Sequence, residues 1–99
     1  MTYLEELENA IVKRHGCEAK HLETETLELF IQNRGLWRGN VSTYALIRHP
    51  QAKRCFAWGN PAPGGGWDVV TMLEAPPVAS AETAVRAAIT SGAAPGKST

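Results

Sequence analysis

The sequence lacks an excess of charge of either sign. Its 99 residues include ten lysines and arginines and ten aspartates and glutamates, so the formal net charge is +0. A balanced chain does not produce the broad positive field with which proteins usually attract nucleic acid or an anionic membrane surface. We therefore expect no nucleic-acid partner and no membrane partner, although a local basic patch is compatible with this balance.

Long apolar runs and cysteines are also scarce. The longest apolar runs are only a few residues, whereas a membrane-spanning helix needs about 20. The N-terminal segment carries Glu5, Glu6 and Glu8, and a signal peptide would have a basic start there. Two cysteines, Cys17 and Cys55, are too few for a disulfide framework and are expected to be reduced thiols. These absences predict a cytoplasmic protein.

The overall composition of the chain is that of one small globular domain. Hydrophobic residues make up 43% of the chain and charged residues 20%, values near the averages for globular proteins. A chain of this length is sufficient for one modest core. We assign residues 1–91 to a single domain and residues 92–99, which are small and aperiodic, to a flexible C-terminal tail.

Hydrophobic periodicity predicts a helix near each end of the chain. Apolar residues recur at helical spacing over residues 2–15, with Thr2 as the N-cap and Gly16 as the stop. A second helical pattern follows Ser80, which is a good N-cap, and ends before Gly92.

Four strands are predicted between these helices, at residues 24–33, 36–48, 53–58 and 67–74. Arg34 and Gly35 supply the first turn, and the proline in His49-Pro50-Gln51 interrupts the second strand. Residues 59–66 contain two prolines and four glycines and are interpreted as a long exposed loop. The order of elements predicts an α+β fold: a helix, a four-stranded antiparallel meander and a helix.

Both faces of this predicted sheet are apolar. If both helices pack on one face, the other face should be polar, and two short helices cannot cover two faces. We therefore expect a second copy of the chain or a ligand to bury the surplus, which makes the chain a homo-oligomer. The alternative is a curved or bulged sheet over whose second face the loops close. The two in-phase sets are Leu27, Leu29, Ile31, Val41, Cys55, Ala57, Val69 and Leu73, and Phe30, Tyr44, Leu46, Phe56, Trp58, Val70 and Met72.

A basic cluster surrounds the predicted turn between the second and third strands. It consists of Arg48, His49, Lys53 and Arg54, and it is suited to an anionic ligand. The alternative is a solvated turn whose charges discourage strand pairing at a sheet edge.

Tryptophans are the second group of candidate binding residues, because indole rings stack on flat or cationic ligands. Trp58 follows the basic cluster along the same strand. Trp67 follows the glycine-rich loop and is expected to line the mouth of a pocket. The predicted binding residues are therefore Trp58, Trp67, Arg48, His49 and Arg54.

No motif assigns a catalytic residue, a metal or a cofactor. Residues 92–99 resemble a phosphate-binding loop, but only three residues separate the two glycines where the motif requires four. The histidines and cysteines are of the types that zinc prefers but lack the usual ligand spacing. A small enzyme with Cys17, His21 or His49 in a pocket remains an alternative function.

A second alternative is an RNA-binding module. The order of elements is similar in outline to that of double-stranded RNA-binding domains. Those domains place lysines at the start of the last helix, whereas this chain has Ser80, Glu82 and Thr83 there.

The central block of the chain carries a resemblance. Residues 49–58, HPQAKRCFAW, preceded by Trp37-Arg38-Gly39, resemble the centre of small uncharacterised bacterial proteins encoded in mobile integron gene cassettes. The resemblance extends over residues 17–89 and implies a compact, cytoplasmic, often homo-oligomeric protein, with no functional residues to carry over. The function expected from all these features is a homo-oligomeric module that binds a partner or a small ligand without catalysis.

Overall fold

The computed structural model describes residues 2–32 and 35–91, apart from the side chain of Ser91. The four strands form one antiparallel sheet in which each strand lies beside the next one in the sequence. The predicted α+β class, with a helix, a four-stranded meander and a helix, is confirmed. The predicted tail at residues 92–99 lies outside the described residues. The elements are α1 (Tyr3–His15), β1 (Glu18–Ile31), β2 (Gly35–Ile47), β3 (Arg54–Pro61), β4 (Trp67–Leu73) and α2 (Ala81–Ser91).

The predicted caps at Thr2, Gly16 and Ser80 are confirmed, whereas the predicted stop at Gly92 lies outside the described residues. The Thr2 side chain accepts a hydrogen bond from the Glu5 backbone N–H at 3.2 Å, and the Glu5 carboxylate accepts one from the Thr2 N–H at 2.8 Å. This reciprocal capping box satisfies two backbone donors at the start of α1. Gly16 ends α1 in the left-handed region with φ 67°. Ser80 caps α2, because its Oγ accepts a hydrogen bond from the Thr83 N–H.

Two strand boundaries differ from the prediction by three residues or more. β1 begins at Glu18, six residues early, because residues 18–23 also pair with β2. A register shift between His21 and Glu23 leaves Leu22 as an extra residue, which breaks the alternation expected of a strand. β3 continues to Pro61, so the prediction of a loop over residues 59–61 was wrong. The remaining connection is closed by a hydrogen bond from the Ala62 N–H to the Gly66 carbonyl.

The two helices lie on opposite faces of the sheet, so the expectation that one face carries both is wrong. On β3, Cys55 and Ala57 belong to the core cluster under α1, and Phe56 and Trp58 belong to the cluster under α2. Consecutive strand residues point to opposite faces, which places the helices on opposite sides. The apolar character of both faces is therefore explained largely within one chain.

The pairing between β2 and β3 also corrects the predicted face sets. Ser42 lies opposite Ala57 under α1, so Val41 shares the α2 face with Trp58. The predicted sets joined each face of β1 and β2 to the wrong face of β3 and β4. Residues 48–53, which connect β2 to β3, set this register, and alternation within each strand does not reveal it.

The sheet divides into two strand pairs where the pairing of β2 with β3 ends. β2 pairs with β3 only over residues 42–45, whereas it pairs with β1 as far as Gly35. Residues 26–31 of β1 and 35–40 of β2 are therefore not paired with β3 and form a two-stranded ribbon. One side of the ribbon packs against the α2 core through Leu27, Leu29 and Trp37. Its other side is on the α1 face.

Candidate functional site

The side of the ribbon on the α1 face, which we call the ribbon face, is left uncovered by α1. Every residue on it is exposed. The side chains of α1 pack instead on Tyr44, Cys55 and Ala57, deeper in the sheet. The ribbon face consists of Thr26, Glu28 and Phe30 from β1 and Leu36, Arg38 and Asn40 from β2.

Cross-strand polar pairs hold the inner part of the ribbon face in place. Thr26 and Asn40 are partners in the register, and the Thr26 hydroxyl donates to Asn40 Oδ1 at 2.7 Å. Glu28 and Arg38 are also partners and form an ion pair at 2.7 Å. Directly opposed opposite charges stabilise a strand pair, so these contacts fix the side chains as well as the register.

An apolar pair occupies the outer end of the ribbon face. Phe30 and Leu36 are register partners, and their exposed fractions are 71% and 58%. These are the largest values among the exposed large hydrophobic residues that the structure describes. The strand beneath them is tied to α2, because Arg86 Nη1 donates to the Phe30 carbonyl at 3.3 Å. The pair is therefore exposed on a backbone that is held in place.

Trp67 lies beside a groove between α1 and β4. Its ring is 40% exposed and makes an edge contact with Tyr3 at 4.8 Å between ring centroids. The Tyr3 hydroxyl accepts a hydrogen bond from the Gly59 N–H at 2.7 Å, which fixes the pair. The groove has a volume of about 390 Å³, and its charged lining residues are Glu6, Lys13 and Arg14. Arg14 itself donates to the Val69 carbonyl and so blocks part of the β4 edge.

Trp58 is not near this groove. It is 1% exposed and packs in the α2 core, where Trp37 contacts it edge-on with 6.2 Å between ring centroids. Its indole N–H is the buried side-chain polar atom, within the described residues, for which no hydrogen-bond partner is found. In this fold Trp58 is a core residue and offers no face for a ligand to stack on.

The predicted basic cluster is divided by the fold. Arg54 turns to the α2 face and pairs with Glu74. This hydrogen-bonded ion pair lowers the pKa of Glu74 and raises the pKa of Arg54. Arg48 is exposed with φ 65°, and His49 Nδ1 accepts hydrogen bonds from the Gln51 and Ala52 N–H groups. Arg48 and His49 therefore stay together at the turn between β2 and β3, apart from Arg54, Trp58 and Trp67.

The cysteines and histidines that a small enzyme could use are mostly buried or hydrogen-bonded within the chain. The Cys55 thiol is fully buried, and burial raises its pKa to about 12, so the reactive thiolate is scarce at neutral pH. His21 Nε2 lies 2.8 Å from the Thr24 hydroxyl, and His49 is held by backbone N–H groups. Cys17 is half-buried in a second groove that also contains Arg48. No group of three potential metal ligands occurs among residues 2–32 and 35–91.

Sequence reasoning did not single out most of the ribbon face. Phe30 appears only as a member of an apolar set, and Glu28, Leu36 and Arg38 were not selected. The sequence nevertheless contains a sign of this face. Three pairs of positions lie symmetrically about position 33, namely 26 and 40, 28 and 38, and 30 and 36. Symmetry about a hairpin turn predicts register partners, and here it pairs an acid with a base and two apolar residues.

Comparison with protein-family models, curated proteins and solved structures finds no match. Within the described part of the chain, no helix is long and apolar enough to cross a membrane. The resemblance to integron cassette proteins therefore stays a prediction.

Proposed function

We propose that this chain is a non-catalytic binding module that acts in the cytoplasm as a homo-oligomer. The observation that supports this proposal is the ribbon face, where Phe30 and Leu36 are 71% and 58% exposed although both helices have packed on the sheet. Contiguous exposed apolar residues with a polar surround are typical of protein interaction surfaces. The ribbon face has that composition, because the Glu28–Arg38 and Thr26–Asn40 pairs adjoin the apolar pair.

The expected gain from covering this face is modest. Burying a leucine or phenylalanine side chain fully contributes about 1.5 to 3 kcal/mol. In a symmetric dimer each residue is buried twice, once in each copy. The cost of ordering is small because the Arg86 contact and the cross-strand pairs already hold the ribbon.

Sedimentation velocity at micromolar concentration tests the proposal. We expect the wild-type chain to sediment as a dimer or larger species, and the double variant Phe30→Ser/Leu36→Ser to sediment as a folded monomer. A matched control, Val12→Ser/Leu22→Ser, removes two other exposed apolar side chains and should stay associated. A wild-type chain that remains monomeric throughout the micromolar range would contradict the proposal.

The groove at Trp67 supports a second candidate function, the binding of a small anionic aromatic ligand. Lys13 supplies a positive charge and Trp67 a partly exposed indole ring on the two sides of the groove. The fluorescent probe 8-anilinonaphthalene-1-sulfonate has both an anionic and an aromatic part. Its binding should be weakened by Lys13→Glu and by Trp67→Ala but not by Phe30→Ser/Leu36→Ser. Equal binding by all of these variants would exclude the groove as the site.

A further inference from the structure

We propose that two copies of the chain pack ribbon face on ribbon face, about a two-fold axis that runs parallel to the strands between β1 and β2. This inference rests on the proposed function and specifies its interface. The juxtaposition that carries it is the Glu28–Arg38 ion pair beside the exposed Phe30–Leu36 pair, on a face that neither helix covers.

The register of the hairpin places the ribbon face in two parallel rows. Thr26, Glu28 and Phe30 form the β1 row, and each is directly opposite its partner in the β2 row. Rotation by 180° about an axis between the rows lays the β1 row of one copy over the β2 row of the other. Glu28 then faces Arg38 of the second copy, and Phe30 faces its Leu36.

Charge complementarity selects this orientation. Glu28 and Arg38 are 2.7 Å apart within one chain, and their side chains are 57% and 64% exposed, so both are accessible to a second copy. With the parallel axis, Glu28 and Arg38 of the two copies form the four corners of a square. Each charged group then has only groups of opposite charge at the two adjacent corners. An axis perpendicular to the strands at the same level would place Glu28 over Glu28 and Arg38 over Arg38. Like charges in contact disfavour an orientation, so the parallel axis is preferred.

The hydrogen-bond pattern agrees with this choice. The same rotation places the Thr26 hydroxyl of one copy over the Asn40 amide of the other, and both groups can donate and accept hydrogen bonds. The apolar pair of one copy covers the apolar pair of the other at the outer end. Because both copies use the same face, the contact closes on itself and produces a dimer with no free ribbon face.

Charge-reversal variants test the orientation. Glu28→Arg leaves two positive charges on each ribbon face, and Arg38→Glu leaves two negative charges. We expect each variant alone to self-associate about tenfold or more weakly than the wild type, because like charges then meet across the interface. An equimolar mixture of the two should recover association as a heterodimer, since both contacts between the copies again join opposite charges.

Matched variants separate this interface from general effects of charge. Glu18→Arg reverses an exposed acid at the first residue of β1, ten positions before Glu28, and it should leave the dimer unchanged. The double variant Glu28→Arg/Arg38→Glu exchanges the charges within one chain and should dimerise like the wild type. Far-ultraviolet circular dichroism checks that each single variant is folded, and recovery on mixing is a result that a loss of folding could not give.

The outcomes distinguish this inference from the proposed function. If the single charge variants dimerise as tightly as the wild type, or if their mixture stays monomeric, the proposed axis is wrong. Loss of association in Phe30→Ser/Leu36→Ser would then still support a self-associating module with another orientation. If the wild-type chain is monomeric, both the inference and the proposed function fail, and the ribbon face is left to a different partner.

Discussion

His15 shows at the residue scale how packing changes the chemistry of a side chain. Its Nε2 lies 3.0 Å from the Thr71 hydroxyl, and its ring centroid lies 6.4 Å from that of His49. Burial lowers the pKa of His15 below its ordinary value of 6.5, and the nearby charges of His49 and Arg14 lower it further. The folded state therefore favours the neutral imidazole, which makes His15 a source of pH-dependent stability.

We expect part of the stability to be lost as the pH falls below about 6.5. The pKa of His15 is lower in the folded state, so the unfolded state binds more protons in that range and is favoured by acid. Urea unfolding at about pH 7.5 and about pH 5.5 measures this loss, which should be smaller in His15→Gln. Thr71→Val keeps the buried ring and should keep the wild-type loss. An unchanged loss in His15→Gln would contradict the assignment.

The two thiols should differ in reactivity for the same physical reason. Cys55 is fully buried with its pKa raised to about 12, whereas Cys17 is half-buried at the edge of a groove. In the native protein an aromatic disulfide reagent should modify one thiol, and the second only after denaturation. Cys17→Ser should therefore abolish the native reaction. Rapid modification of both thiols in the folded chain would show that Cys55 is accessible.

At the scale of the element, the helix ends were readable from local sequence. The capping box joins Thr2 and Glu5, and Gly16 adopts φ 67° at the other end of α1. Each feature depends on residues three or four positions apart, so the sequence contains all of its determinants. β1 was less readable, because its first residues are polar and the bulge at Leu22 interrupts their alternation.

Removing the cap of α1 should destabilise the fold measurably. Thr2→Ala deletes the hydroxyl that accepts the Glu5 N–H, and loss of such a cap costs about 1 kcal/mol of unfolding free energy. Thr2→Ser keeps the hydroxyl and should stay near the wild type. Chemical denaturation at one protein concentration measures the free energy of unfolding of the wild type and the two variants. Equal free energies would show that α1 does not depend on this cap.

At the scale of the whole molecule, the position of each helix decides which surface remains for a partner. α2 lies on one face of the sheet and covers one side of the ribbon, whereas α1 lies on the other face and stops short of it. The uncovered apolar surface expected from the sequence is therefore limited to the outer end of the ribbon face. Phe30 and Leu36 are its main members.

Self-association through this surface should make thermal stability depend on protein concentration. A dimer that forms only from folded chains stabilises the native state by mass action, so the midpoint of thermal unfolding should rise with concentration. The same series with Phe30→Ser/Leu36→Ser should give a constant midpoint. A wild-type midpoint that does not change over a wide range of concentration would argue against a folded-state dimer.

The sequence by itself determined the α+β class, the order of the elements and the helix caps. Periodicity and capping depend on near neighbours in the chain, which the sequence lists directly.

Only the tertiary structure decided which faces the helices cover, that Trp58 is buried and that Arg54 pairs with Glu74. These features depend on the register of β2 with β3, and a shift of one residue would exchange the faces of a strand. That register is set by residues 48–53, which connect the two strands, and the alternation within each strand does not specify it. The uncovered ribbon face follows from it, since β3 stops pairing with β2 at Ser42.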